Sequence, residues 1–173
     1  MDHVILTLRR MLVTPRFLES SPTRVFAIAA RFDLDEEAKI ASRQTLTLNL
    51  LDTPLSDDLK HISAYSYHQL LSLHRQRSKA AADLLVLPED VKCMQCNASS
   101  YGAFAPPRWW TEWEKKARVE LGMRPTTEVI FQMGFIAKVA TTCGCQRCPG
   151  SVLDSYRFLE ELKKRIDELP STI

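Results

Sequence analysis

Apolar side chains recur along most of the chain at intervals of three and four residues, the spacing of one face of an α-helix. No segment shows the strict alternation that is typical of a half-buried strand, and no internal repeat is found. The pattern therefore predicts an all-α protein, a helical bundle built from helix hairpins. The predicted helical segments are residues 2–11, 22–32, 35–45, 63–85, 108–121, 125–140 and 151–169.

The second and third predicted helices follow each other so closely that we expect an antiparallel hairpin. Ser21 precedes Pro22 and is a typical N-cap residue, while three carboxylates from Asp35 to Glu37 favour the start of the next helix. The expected buried positions are Val25, Ile28, Ala29 and Phe32 in one helix, and Leu34, Ala38, Ala41 and Thr45 in the other.

The long helix capped by Ser63 carries a regular seam that we expect to lie along a neighbouring helix. The seam is Ala64, Tyr67, Leu71, His74, Ser78, Ala81 and Leu85. Two interpretations of His74 stay open: a metal ligand or proton-transfer group, and a packed imidazole with one hydrogen-bond partner. The cations Arg75, Arg77 and Lys79 are expected on the solvated side of the helix.

The helical pattern breaks between residues 88 and 107, which suggests two regions, 1–87 and 88–173. In the helix that follows this irregular, cysteine-containing linker, Trp110 and Trp113 fall on the expected core face, and Trp109 is predicted to be the surface aromatic. The last helix, ended by Pro170, is expected to bury Val152, Tyr156, Leu159, Leu162 and Ile166.

Four of the five cysteines form two Cys-x-x-Cys pairs, and these pairs are the strongest chemical signal in the sequence. A two-residue gap lets a tight turn direct both sulfurs at one point, and two such pairs can supply the four ligands of a tetrahedral zinc site. The predicted ligands are Cys93, Cys96, Cys145 and Cys148. Because 48 residues separate the pairs, the structural zinc would clamp two helical segments together.

Two other states of these cysteines remain as alternatives, namely reduced buried thiols without a metal and a redox-active pair. The redox alternative lacks the strand and helix context of a thioredoxin-like motif. Cys143 lies just outside the second pair, and Gly144 allows it to replace Cys145 as a ligand because glycine adopts unusual backbone angles.

Composition and charge exclude several classes of protein. The 173 residues are 45% hydrophobic and 25% charged, which is typical of a globular domain rather than a disordered chain. A net charge of +2 is too small for a dedicated nucleic-acid binder. Neither a signal peptide nor a membrane-spanning run is apparent, so we expect a protein of the cytoplasm or nucleus. No nucleophile, base and orienting group can be assembled, so no enzyme is predicted.

The order of several motifs resembles one family. Residues 21–32 and 34–41 resemble the segment after the BTB/POZ core in fungal, especially mushroom-type, BTB proteins. Residues 61–75 are similar to the next helix of that group. The two cysteine pairs, the Trp109-Trp110 pair and a terminal amphipathic helix follow in the same order, so the resemblance covers nearly the whole chain.

The resemblance implies a truncated member that lacks the N-terminal BTB core. That core forms the family's dimer interface, so the usual mode of self-association is not carried over. The implied function is non-enzymatic binding of a protein partner, as in a scaffold or adaptor. The alternative function is a zinc-dependent nucleic-acid-binding or transcription-associated module, which would use Arg75, Arg77, Lys115, Lys116 and Arg118.

Overall fold

A computed structural model describes residues 2–54, 56–97 and 105–173 of the chain. In these ranges the secondary structure is helical and contains no strand, so the predicted all-α class is confirmed. A short 3-10 helix, Asp57–His61, joins the helices of the first half. The α-helices are α1 (Asp2–Leu12), α2 (Pro15–Ser20), α3 (Pro22–Arg31), α4 (Asp35–Thr45), α5 (Ala64–Asp83), α6 (Arg108–Met123), α7 (Met133–Thr142), α8 (Cys148–Asp154) and α9 (Tyr156–Asp167).

The chain divides into two compact units, which are described separately. The first consists of residues 2–77 together with residues 170–173, and the second is the continuous segment 78–169. The division falls inside α5, ten residues before the boundary at 87/88 that the loss of helical periodicity suggested.

The first unit is built on the predicted hairpin of α3 and α4. Ala29 and Ala41 are fully buried in its core, and their small side chains let the two helices approach closely. The turn between the helices passes through Asp33, whose φ of 51° is left-handed. Phe32 is 62% exposed, so its prediction as a core residue is wrong: α3 ends at Arg31, and the chain turns away from the core.

Ser21 occupies the N-cap position of α3, as predicted, but its side chain makes no capping hydrogen bond. Ser63 does cap α5, because its hydroxyl oxygen accepts a hydrogen bond from the backbone N–H of Ser66 at 3.0 Å. The short helix α2 was not predicted, since its six residues are too few to show helical periodicity.

The buried face of α5 differs from the predicted seam in its first half. Leu70 and Leu73 are buried, whereas the seam residue Leu71 is only half-buried. Arg77 is 6% exposed, so its prediction as a solvated cation is wrong. Its guanidinium donates a hydrogen bond to the carbonyl oxygen of Pro170 at 3.0 Å, which compensates part of the cost of burying the charge.

Residues 170–173 bind back to the first unit by further hydrogen bonds. The Arg43 guanidinium donates to the hydroxyl of Ser171 at 3.1 Å, and the backbone N–H of Ile173 donates to the hydroxyl of Ser42 at 3.3 Å. The Ile173 side chain packs against the core of the hairpin. The last residues therefore belong structurally with α3, α4 and α5.

The core of the second unit lies on α6, where Trp109 and Trp113 are fully buried. Trp110 and Trp113 are buried as predicted, but the prediction of Trp109 as a surface residue is wrong. Trp109 is covered because α6 packs against both α7 and α8, so that two of its sides are enclosed. The Trp109 indole N–H donates to the Ser151 hydroxyl at 3.0 Å.

Two predicted helices have different bounds in the structure. Residues 124–132 form turns, so α7 begins at Met133 instead of Pro125. The predicted terminal helix is divided at Ser155 into α8 and α9. Tyr156, the first residue of α9, is 57% exposed, and its prediction as a core residue is therefore wrong.

Among the described residues, no helix combines the length and apolar character needed to cross a membrane.

Candidate metal centre

Both Cys-x-x-Cys pairs meet at one point in the second unit. The sulfur atoms of Cys93 and Cys145 are 3.7 Å apart, those of Cys96 and Cys148 are 3.6 Å apart, and those of Cys93 and Cys148 are 4.0 Å apart. All four sulfurs lie within 4.8 Å of one another. Four sulfurs placed at about 2.3 Å from a central zinc would be about 3.8 Å apart. The cluster therefore has the dimensions of a tetrahedral metal site.

The same distances exclude disulfides in this structure. A sulfur–sulfur bond is about 2.05 Å long, which is far shorter than any of these separations, and all five cysteines are free thiols. Cys93, Cys145 and Cys148 are buried, whereas Cys96 is only half-buried at the edge of the cluster. The four cysteines could thus hold one metal ion in a site where three of the four ligand residues are buried.

Asn97 shapes the loop that carries the first pair. Its side-chain oxygen accepts a hydrogen bond from the backbone N–H of Cys93 at 2.7 Å, and its side-chain amide donates to the carbonyl oxygen of Ala105 at 2.7 Å. Its own backbone N–H donates to the Cys93 carbonyl at 3.2 Å. The loop is therefore closed on itself around Cys93 and Cys96.

The second pair lies between α7 and α8. Gly144 has a φ of 74°, a left-handed conformation that a residue with a Cβ adopts at a cost, and it turns the chain from the end of α7 toward Cys145. Cys148 begins α8, and its backbone N–H donates to the Cys145 carbonyl at 3.3 Å. This turn directs both sulfurs of the pair toward Cys93 and Cys96.

Cys143 lies outside the group of four mutually close sulfurs. Its thiol donates to the carbonyl oxygen of Ala140 at 3.2 Å, within the last turn of α7. The structure therefore brings Cys145, and not Cys143, together with the other three cysteines.

Arg108, the first residue of α6, contacts both halves of the cluster. Its backbone N–H donates to the sulfur of Cys96 at 3.4 Å, and its guanidinium donates to the carbonyl oxygen of Gly144 at 3.3 Å. This role of Arg108 was not predicted, because nothing in the local pattern of α6 indicates which loops approach its start.

Ser151 provides a second connection behind the cluster. Its hydroxyl accepts the hydrogen bond from Trp109 and donates to the carbonyl oxygen of Lys92 at 2.8 Å. Since Lys92 precedes Cys93 and Ser151 lies one turn after Cys148, this hydroxyl links the two cysteine segments through the first turn of α6. A buried serine three residues after a cysteine is a weak sequence signal, and it was not selected.

Burial and hydrogen bonding have opposing effects on the pKa values of three thiols of the cluster. Burial raises the pKa of Cys96, an effect that the backbone N–H of Arg108 partly offsets, and burial also raises the pKa of Cys148. Burial opposes ionisation of Cys145 as well, but the backbone N–H of Arg147 and the neighbouring thiols lower its pKa to about 7. Ionising all four sulfurs in such a site is favourable only when a cation compensates the charge.

His74 lies in the first unit, and its surroundings fit the second of the two interpretations, a packed imidazole with one hydrogen-bond partner. Its Nε2 atom is 3.1 Å from the hydroxyl of Thr45, and burial lowers its pKa to about 4. The ring is therefore neutral at physiological pH.

The five cations of the nucleic-acid alternative are divided between the two units. Arg75 and Arg77 belong to the first unit and the other three to the second. Arg77 is buried, and Arg118 forms an ion pair with Glu114 at 2.8 Å. Lys115 and Lys116 are exposed. The burial of Arg77 and the ion pair of Arg118 thus reduce the number of these cations that are available for phosphate contacts.

A small apolar groove lies between the start of α7 and the helices α8 and α9. Its volume is about 220 Å³. Met133, Leu153 and Tyr156 stand at its rim with more than half of each side chain exposed, while Val152 and Leu159 form its buried floor. Glu160 and Lys163 add one charge of each sign.

Comparisons of the chain with protein-family models, with curated proteins and with solved structures found no match.

Proposed function

We propose that this chain is a non-enzymatic protein-interaction module whose second unit is stabilised by a structural zinc ion bound to Cys93, Cys96, Cys145 and Cys148. The observation that carries the proposal is the convergence of four thiols within 4.8 Å. A tetrahedral set of four sulfurs is typical of zinc or of iron. Zinc is preferred here because closed four-cysteine sites are typical of structural zinc.

The closed ligand set also favours a structural over a catalytic role. Catalytic zinc keeps one coordination position open for water or substrate, whereas four protein ligands complete the tetrahedron. Burial of three of the four cysteines further limits access to the centre. The proposed location is the cytoplasm or nucleus, where thiols stay reduced.

The apolar groove of the second unit supports the interaction role. A cavity of about 150 Å³ accommodates benzene, so a groove of about 220 Å³ fits one large apolar side chain. The proposed partner is an amphipathic peptide segment that inserts such a side chain beside Leu153 and Tyr156. The resemblance to the region after the BTB core is in keeping with a scaffold or adaptor role of this kind.

Metal analysis of protein purified without added zinc tests the metal centre. We expect one zinc per chain, and we expect Cys96→Ser and Cys145→Ser each to abolish its retention because three sulfurs leave the shell incomplete. Cys143→Ser is the matched control and should retain the metal. Iron in place of zinc, or loss of metal in Cys143→Ser with retention in Cys145→Ser, would contradict the assignment.

Selection of a phage-displayed library of random peptides on the zinc-loaded protein tests the groove. We expect selected peptides to share one large apolar residue and to bind Leu153→Glu about tenfold or more weakly. Leu51→Glu is the matched control, because Leu51 is an exposed leucine of the first unit and its substitution should leave binding unchanged. Equal binding to both variants would refute the groove, and salt-sensitive binding of duplex DNA would favour the nucleic-acid alternative.

A further inference from the structure

Cys96 differs from the other three cysteines of the cluster in two ways that matter for its chemistry. It is the one member of the group that is not buried. Its sulfur also lies 3.6 Å from that of Cys148, whereas the sulfurs of Cys93 and Cys145 are 3.7 Å apart and those of Cys93 and Cys148 are 4.0 Å apart. A dissolved oxidant would therefore reach Cys96 first, and a second sulfur stands beside it.

We propose that Cys96 is the site at which a peroxide oxidises the cluster and that Cys148 resolves the product as a Cys96–Cys148 disulfide. Release of the ion, the expected consequence of this oxidation, rests on the proposed metal centre. Formation of the disulfide depends only on the positions of the two sulfurs. The oxidant class is a hydroperoxide, and hydrogen peroxide is the simplest example.

The reaction is balanced in two steps. The Cys96 thiolate attacks one peroxide oxygen, so that a sulfur–oxygen bond forms, the oxygen–oxygen bond breaks and hydroxide leaves, giving a sulfenic acid. The Cys148 thiolate then attacks the Cys96 sulfur, so that the disulfide forms, the sulfur–oxygen bond breaks and a second hydroxide leaves. Two thiolates lose two electrons in total, and the peroxide becomes two water molecules after taking up two protons.

The geometry favours this pairing over a disulfide between Cys93 and Cys145. The two sulfurs must approach from 3.6 Å to the bond length of about 2.05 Å. Cys93 and Cys145 are both buried, so a disulfide between them would need the oxidant to enter the core. After the reaction only these two sulfurs would remain as ligands, and two ligands do not complete the shell that holds a structural ion.

The experiment treats the full zinc-loaded chain with hydrogen peroxide in the presence of a chromogenic zinc chelator. Samples are alkylated, digested without reduction and mapped by mass spectrometry. We expect zinc release to follow the appearance of a linked Cys96–Cys148 peptide, and a thiol reductant to restore zinc binding. Linkage of Cys93 to Cys96, of Cys145 to Cys148 or of Cys143 to Cys148, or no disulfide at all, would overturn the proposal.

Two variants separate this inference from the metal assignment. Cys96→His can keep zinc in a three-cysteine, one-histidine shell, and peroxide should release its zinc about tenfold or more slowly than from the parent chain. Cys143→Ser should release zinc at the parent rate, and a slower rate would identify Cys143 as the resolving thiol instead. If the chain proves to carry no zinc, the metal centre is refuted, and the same disulfide mapping on the metal-free chain still decides the oxidation site.

Discussion

Ser151 is the residue through which the metal centre is joined to the tryptophan core. Its hydroxyl accepts from the Trp109 indole and donates to the Lys92 carbonyl, and both bonds are inside the second unit. Loss of this hydroxyl leaves the buried indole N–H of Trp109 and the carbonyl oxygen of Lys92 without this hydrogen-bond partner. Such a loss lowers the free energy of unfolding by more than the loss of an exposed hydrogen bond, because buried groups cannot form a hydrogen bond with water instead.

We therefore expect Ser151→Ala to lower the free energy of unfolding of the second unit by about 1–3 kcal/mol. Urea denaturation of the zinc-loaded protein, followed by tryptophan fluorescence, measures this change, since all three tryptophans lie on α6. Thr141→Ala, which removes an exposed hydroxyl from α7, is the control and should change stability by less than about 0.5 kcal/mol. Equal effects of the two substitutions would show that the Ser151 bridge contributes nothing.

At the scale of the element, the amphipathic helix α9 closes the second unit. Leu159, Leu162 and Ile166 lie on its buried face at intervals of three and four residues. The break at Ser155 separates α9 from α8, and Leu153 of α8 lies at the surface whereas Leu162 of α9 lies in the core. The two leucines are nine positions apart but have opposite environments.

Leu162→Ala should destabilise the second unit by about 2–5 kcal/mol, because it leaves a cavity where the parent side chain is 1% exposed. Leu153→Ala is the matched control, since Leu153 is 70% exposed and its truncation removes little buried surface. Urea denaturation again gives both values. If Leu153→Ala proved as costly as Leu162→Ala, the orientation of α8 and α9 would be incorrect.

The elements that the sequence predicts well are those governed by local periodicity. The bounds of α1, α4 and α6 follow from apolar spacing and from charged or proline residues near their ends. The failures at Phe32, Trp109 and Tyr156 share one cause. Each depends on where a helix ends or on which neighbouring helix covers it, and both are decided by tertiary packing.

The candidate site also has a part that the sequence predicts and a part that it does not. The spacing of the cysteines was sufficient to select four thiols that the structure brings together. The roles of Arg108 and Ser151 could not be predicted, because each joins segments that are distant in the chain. The contact from Arg108 to Cys96 spans 12 residues, and that from Ser151 to Lys92 spans 59. The contacts of Asn97 are local, since its bond to Cys93 spans only four residues, but the sequence pattern gives no sign of them.

At the scale of the whole molecule, the proposed metal should determine the folding of only one of the two units. Structural zinc contributes about 10–16 kcal/mol in small peptides, which is comparable to the total stability of about 5–15 kcal/mol of an ordinary domain. All four cysteines belong to the second unit, whereas the first has its own core of Val25, Phe26 and Leu70.

Removal of zinc with a chelator under reducing conditions should therefore increase amide hydrogen exchange strongly in residues 105–169 and weakly in residues 22–45. Hydrogen exchange followed by mass spectrometry resolves the two regions. The control is the same chelator saturated with zinc beforehand, which should change neither. An equal loss of protection in both regions would show that the first unit also depends on the metal.

The return of residues 170–173 to the first unit affects the order in which the chain matures during translation. The second unit is a continuous segment, so all four cysteines are available before synthesis reaches Pro170. The first unit precedes the second in the chain, but it obtains the Pro170 acceptor of Arg77 and the Ile173 contact with its core only when residues 170–173 have been synthesised. On the ribosome, the unit that starts first is consequently completed after the second one.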